Sequence, residues 1–235
     1  MRTWRKRTKT TADPDPSWRA LYRAGGISAY LFVALIIVSI VLEFTTLQQP
    51  RSGGETTLRY IAAHRKLYIL KQALWLGPSA LAIVVFLSLY AALKHVNKSY
   101  AAIGAAVGCT AWALTLAWPA TGGGAPSLVY LSDQYAAAST PEQRATFAAA
   151  AETFIAQNAI PTPAGVLSPV GILILSFVML RGVFHKGVAY MGIATGAIGT
   201  VSEALRPLIG AGYIGYGLLL PAWFLAVGWK LYRLG

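Results

Sequence analysis

Charge is scarce in this chain. Only 12% of its 235 residues are Asp, Glu, Lys or Arg, about half the ~25% usual in soluble domains. So few charges cannot cover a water-facing surface of that size, and lipid is the expected solvent for much of it. Acid is scarcer still: 8 Asp and Glu stand against 20 Lys and Arg, for a formal net charge of +12. Cysteine is nearly absent. Cys109 is the one thiol, which excludes an intramolecular disulfide and any multi-cysteine metal site. It lies in an apolar run and reads as a small buried residue. The three histidines, His64, His95 and His185, have no pair at helical ligand spacing, so neither a metal nor a haem site is expected and no cofactor is implied. A phosphate-binding loop, an H-E-x-x-H zinc helix and a G-x-S-x-G nucleophile elbow are all missing.

Long hydrophobic runs are what the chain has. It is 56% hydrophobic, with mean hydropathy +0.54. Gly25 to Leu47 carries one charged residue, Glu43, and is long enough to cross a ~30 Å hydrocarbon core as a helix. It is too long for the apolar segment of a signal peptide. Five more runs resemble it. The expected fold is all-α: a polytopic membrane protein with six transmembrane helices at about 26–47, 67–93, 100–120, 164–184, 187–205 and 210–229. These form one membrane domain over 18–235, after a basic, proline-punctuated disordered tail over 1–17. Trp18 to Arg23 suits a short interfacial segment. Pro78, Pro169 and Pro221 interrupt the return spans, and Gly104-x-x-x-Gly108 offers a small-residue face for a neighbouring helix.

Two stretches are helical but too polar to span. Glu55 to Lys66 places Leu58, Ile61, Ala62 and Arg65 at i, i+3, i+4 and i+7, the pattern of an amphipathic helix. The long loop over 121–163 contains Thr140-Pro-Glu142, a helix start with Thr140 as N-cap and Pro141 in the first turn. Phe147, Ala150, Ala151, Phe154 and Ile155 then form an apolar stripe, so an external amphipathic helix is expected, ending by Asn158 and Pro161. It lies over the mouth of the bundle or in the interface; a plain surface helix and a lid over a site are both open.

Charge bias sets the orientation. With the N-terminus inside, 13 of the 20 Lys and Arg fall in cytoplasmic segments, including Lys94, Lys98, Arg181, Lys186, Lys230 and Arg233. The positive-inside rule therefore predicts N- and C-termini in the cytoplasm, with multi-pass localisation in the cell (inner or plasma) membrane. The basic tail and inner loops suit anionic lipid headgroups as partners. Nucleic acid is not expected, and homo-oligomerisation through small-residue faces is open.

Glu43 and Glu203 stand out because charge within a span is costly and usually faces the bundle or a water-filled cavity. Glu43 follows Tyr30 by the same interval that separates Glu203 from Tyr190, and Tyr100 opens the third span alike. This echo suggests either a threefold hairpin ancestry or a shared interfacial tyrosine. Lys71, Arg206 and His64 are expected near the two carboxylates, making Glu43, His64, Lys71, Glu203 and Arg206 a candidate polar cluster at the outer mouth. Structural ion pairs, Glu43–Lys71 and Glu203–Arg206, are the simpler alternative. Three functions stay open: small-ligand or ion binding and transport through an outward-facing polar cavity; a structural or regulatory membrane partner without ligand; and an intramembrane enzyme using the two carboxylates, though no catalytic motif supports an enzyme.

The segments Leu21-Tyr-Arg-Ala-Gly-Gly26, Val178-Met-Leu-Arg181 before Ala189-Tyr-Met-Gly192, and Leu219-Leu-Pro221 with Trp223 and Leu231-Tyr-Arg233 carry a resemblance. Over most of 18–235 the chain resembles a family of small bacterial and archaeal six-helix integral membrane proteins of unknown function. The resemblance implies the six-helix fold and carries over no functional residue.

Overall fold

In a computed structural model, residues 14–50, 52–117, 125–157, 163–205, 208 and 214–235 are described. They form nine α-helices and no strand among them. These are α1 (Arg19–Thr45), α2 (Gly54–Ala63), α3 (Arg65–Leu93), α4 (Lys98–Ala117), α5 (Ala125–Ala137), α6 (Pro141–Gln157), α7 (Pro163–Met179), α8 (Lys186–Ala204) and α9 (Ile214–Leu234).

Local chemistry sets several helix starts. Asp15 accepts from Ser17 N at 3.0 Å and opens a single 3-10 turn, Pro16–Trp18, that runs into α1. Asn97 Oδ1 accepts from Tyr100 N at 3.1 Å and caps α4. His185 Nδ1 accepts from Gly187 N at 3.1 Å and caps α8. Thr140 caps α6 as expected, and the cap is reciprocal. Thr140 Oγ1 accepts from Gln143 N at 3.3 Å, while Gln143 Oε1 accepts from Ser139 N and Thr140 N at 3.1 and 3.4 Å. This is a capping box, which satisfies orphan N–H groups at both ends of the motif.

Six helices close into a ring. In order α1, α3, α4, α7, α8, α9, each packs on the next, and α9 packs back on α1. Consecutive members run antiparallel. Aromatic side chains fill the interior: Phe32 of α1 stacks on Phe224 of α9 at 4.0 Å and meets Trp112 of α4 edge-on at 5.4 Å, and Trp223 lies 5.4 Å from Phe224 and 6.5 Å from Phe86 of α3. Small residues let the backbones close around them. A Cβ on Gly171 would stand 2.8 Å from Gly108 N, so α4 and α7 touch backbone to backbone through the Gly104-x-x-x-Gly108 face.

The other face of the ring is greasy. Three helices, Pro16–Thr45, Arg65–Leu93 and Lys98–Ala117, are long and apolar enough to cross a membrane, and Gly165–Met179 is a shorter apolar helix. Only 28% of the apolar window of α1 is buried within the protein; Leu31, Ile37, Val38, Val41 and Phe44 all lie open. Water would not tolerate such a belt along a whole helix, whereas hydrocarbon requires it.

The remaining helices, α2, α5 and α6, pack on one another as a cap at one end of the ring, joined to it through α3. Gly54, Thr57, Leu58 and Ile61 are the buried stripe of α2. Leu58, Ile61, Tyr68, Leu128, Leu131 and Ala151 form a second core, with Phe147, Ala150 and Phe154 packed against it.

Several boundaries differ from expectation. The long loop holds two helices, since α5 precedes α6. Trp18 to Arg23 is continuous with the first helix, which begins earlier than expected: it is the end of the 3-10 turn and the first turn of α1. Ala62 is exposed and Arg65 already belongs to α3. The fourth run ends as a helix at Met179, where Arg181 N and Gly182 N turn back onto Val178 O and Met179 O at 3.2 and 3.1 Å. The tail over 1–13 and residues 158–162 lie outside the described residues.

Candidate functional site

The cap end of the ring gathers the charged residues that stand within the apolar helices. Glu43 sits in the last turn of α1 and Lys71 in the second turn of α3, which face one another because the two helices are antiparallel neighbours. Lys71 Nζ lies 3.0 Å from Glu43 Oε2 and donates to the Leu47 carbonyl at 3.1 Å. The lysine side chain is 9% exposed and the glutamate 43%. A buried ammonium is therefore held by one partly exposed carboxylate and one carbonyl just past the end of α1, where the helix dipole is also negative. Tyr60 Oη donates to the same Leu47 oxygen at 2.8 Å. His64 is the junction between α2 and α3, and its ring lies 5.2 Å from that of Tyr60. Glu43, Lys71 and, through Tyr60, His64 thus form one chain of contacts.

Glu203 belongs to another wall. It closes the packed stripe of α8, after Gly192, Gly196 and Gly199, and is 1% exposed. One turn earlier, a Cβ on Gly199 would meet the Tyr216 ring at 2.5 Å and Pro169 at 2.7 Å. α8 packs on α7 and α9, while α3 lies across the ring. The ion pair of Lys71 is with Glu43 and does not include Glu203. Arg206 lies outside the described residues.

A second group of charges ties the cap together. Arg65 of α3 donates to both oxygens of Asp133 of α5, at 2.7 and 3.1 Å. Arg59 pairs with Glu55 at 2.6 Å, and Tyr135 Oη donates to the same Glu55 oxygen at 2.8 Å. The Tyr135 hydroxyl, and then the Arg59 guanidinium, hold the Glu55 carboxyl below its usual 4.5. Beneath them Ser132 Oγ donates to the buried Leu58 carbonyl at 2.8 Å. Pro126, Ser127, Tyr130, Leu131 and Phe154 line a shallow apolar groove of about 450 Å³ on the cap. Among the described residues, no three His, Cys, Asp or Glu side chains gather where they could hold a metal ion.

Asp133, Tyr60, Tyr135 and the Leu47 carbonyl escaped the sequence reading. Each meets a partner far along the chain, and no local pattern announces such pairings. The signal available for Asp133 was its place in Leu128-Val-Tyr-Leu-Ser-Asp133, where two buried leucines at i and i+3 put Ser132 and Asp133 beside the packed face.

The helical ring, its lipid-suited belt and the polar node at one mouth define the class: an all-α protein with helices fit to span a membrane. Comparison with protein families, with curated proteins and with solved structures finds no match to this chain.

Proposed function

We propose that this chain is a six-span protein of the cell membrane, with both termini cytoplasmic and the α2–α5–α6 cap outside, and that it binds or transports a small ligand or ion at the outer mouth. One observation carries the functional part: the buried Lys71 ammonium is paired with Glu43, a carboxylate that is itself 43% exposed at the end of α1. A pair closed on both sides is structural. A pair closed on one side can exchange, because an entering anion replaces Glu43 on Lys71, or an entering cation takes Glu43 and the Leu47 carbonyl. Glu203, buried on the opposite wall, is the second carboxylate within the bundle.

A reading without ligand is supported by a different observation, the aromatic filling of the ring by Phe32, Phe86, Trp223 and Phe224, all fully buried. That interior leaves exchange to the outer mouth and makes the ring a rigid partner for other membrane helices. Proteoliposomes distinguish the two. Wild type, Glu43→Gln and Glu203→Gln are compared for binding and uptake of a panel of inorganic ions, amino acids and carboxylates. Exchange at the mouth requires that Glu43→Gln lose most of the signal. Equal behaviour of all three proteins removes the carboxylate site and leaves the structural reading.

A further inference from the structure

We infer that the end of the bundle opposite the cap carries a discrete site for the phosphate of an anionic phospholipid, built on Trp18, Arg23, Lys94, Trp229, Tyr232 and Arg233. The inference rests on the proposed orientation, which puts this rim at the cytoplasmic headgroups, and it deepens that reading from a general charge bias to a named site.

Three cations are parked over aromatic rings at this rim. Lys94 Nζ lies 4.1 Å above the Trp18 ring, Arg233 Cζ 4.1 Å above the Trp229 ring, and Arg23 Cζ 5.8 Å above the Tyr232 ring. The start of α1, the end of α3 and the end of α9 converge to place them. Tyr22 Oη donates to Ala91 O at 3.3 Å, and a Cβ on Gly26 would stand 2.7 Å from Tyr232 N. None of these three cations forms an ion pair with a described carboxylate. Asp15 caps the Pro16–Trp18 turn, and its carboxyl is held below its usual value by the Ser17 hydrogen bonds and, more weakly, by the nearby Lys94 charge. Trp229 and Tyr232 are 55% and 43% exposed, at the border where amphipathic rings favour headgroup depth.

A cation over a ring is oriented without being neutralised. Its remaining N–H groups stay available, and a guanidinium offers phosphate oxygens a planar fork. Three such cations at the converging ends of α1, α3 and α9, beside the partly exposed rings of Trp229 and Tyr232, fit a headgroup phosphate and its adjoining glycerol better than a free anion, which has no use for the rings.

The test uses the full chain in micelles of a neutral detergent, doped with phosphatidylglycerol or phosphatidylcholine, and reads thermal unfolding. Phosphatidylglycerol is expected to raise the melting temperature of wild type well beyond phosphatidylcholine. Arg23→Gln/Arg233→Gln should lose most of that difference, while melting as wild type does in phosphatidylcholine. Full retention in the double variant overturns the site, as does an equal shift from inorganic phosphate or a DNA oligomer, either of which replaces lipid by a soluble polyanion. Orientation is read separately in cells, by labelling Ser99→Cys or Ser139→Cys on a Cys109→Ser background with an impermeant maleimide. Labelling of Ser99→Cys from outside breaks the orientation, and the micelle result still decides whether the phosphate site exists.

Discussion

The two ends of this molecule handle positive charge in opposite ways. At the cap end Arg59, Arg65 and Lys71 are each matched to a carboxylate, Glu55, Asp133 and Glu43, while Arg144 donates to the Ala138 carbonyl and Lys66 pairs with no described carboxylate. At the other end Arg19, Arg23, Lys94, Lys98, Arg181, Lys186, Lys230 and Arg233 crowd the rim, and none pairs with a described carboxylate. Where charge is paired, it fastens elements of this chain to one another. Where it is left open and propped on aromatic rings, it stays available to a complement from outside the chain. The sparse acids mark which end is fastened internally and which is left open.

Substitutions graded by size break or sharpen that contrast. Between the ends, the aromatic plug should matter most: Trp223→Ala removes a fully buried ring and should cost about 3–5 kcal/mol, measured as loss of folded protein in a denaturant series in micelles. At the cap end, Glu43→Leu strands the buried Lys71 ammonium and should cost about 1–3 kcal/mol. The double variant Glu43→Leu/Lys71→Leu should recover much of it; no recovery would mean that the pair is not what stabilises this corner. Gly54→Val drives a side chain into the Ala148 carbonyl and should loosen the cap by about 1–3 kcal/mol, seen as proteolysis within α5 and α6 while α1 and α3 stay protected. At the opposite rim, Arg23→Gln should change stability in neutral detergent by less than about 0.5 kcal/mol. A large loss there would show that this rim, too, is fastened internally.

Acid gives the mildest test. Tyr135 and Arg59 lower the Glu55 pKa in the folded chain. The folded value lies below the unfolded one, so the contribution is complete above the usual 4.5 and fades as pH falls through the folded value. The Tyr135 ring resonances should therefore move at a pH below 4.5, with little change in the ring of six helices. A cap whose Tyr135 signals are unchanged down to full protonation would show that this contact does not form.

What could be read from the sequence followed from short-range physics. The apolar run before Glu43 made α1 visible, the Thr140-Pro-Glu142 start made α6 visible, and the antiparallel step from α1 to α3 made the Glu43–Lys71 pair foreseeable from depth alone. The helix α5 was not visible because Ala125 to Ala137 is short and mixed in polarity, and follows a glycine triplet. Its burial depends on Leu58 and Ile61 of a distant segment. Asp133 was not visible for the same reason. Glu203 was visible as a charge in a span, but its wall was not, since small residues over Gly192 to Gly199 declare that a helix packs closely without saying against which neighbour.

The Leu47 carbonyl, described above as an acceptor for Tyr60 and Lys71, has a mechanical meaning. A single oxygen ties the tip of α1 to both arms of the α2–α3 elbow at His64. The cap and the Glu43–Lys71 pair therefore share one anchor, and a substitution that displaces the Leu47 backbone should disturb both.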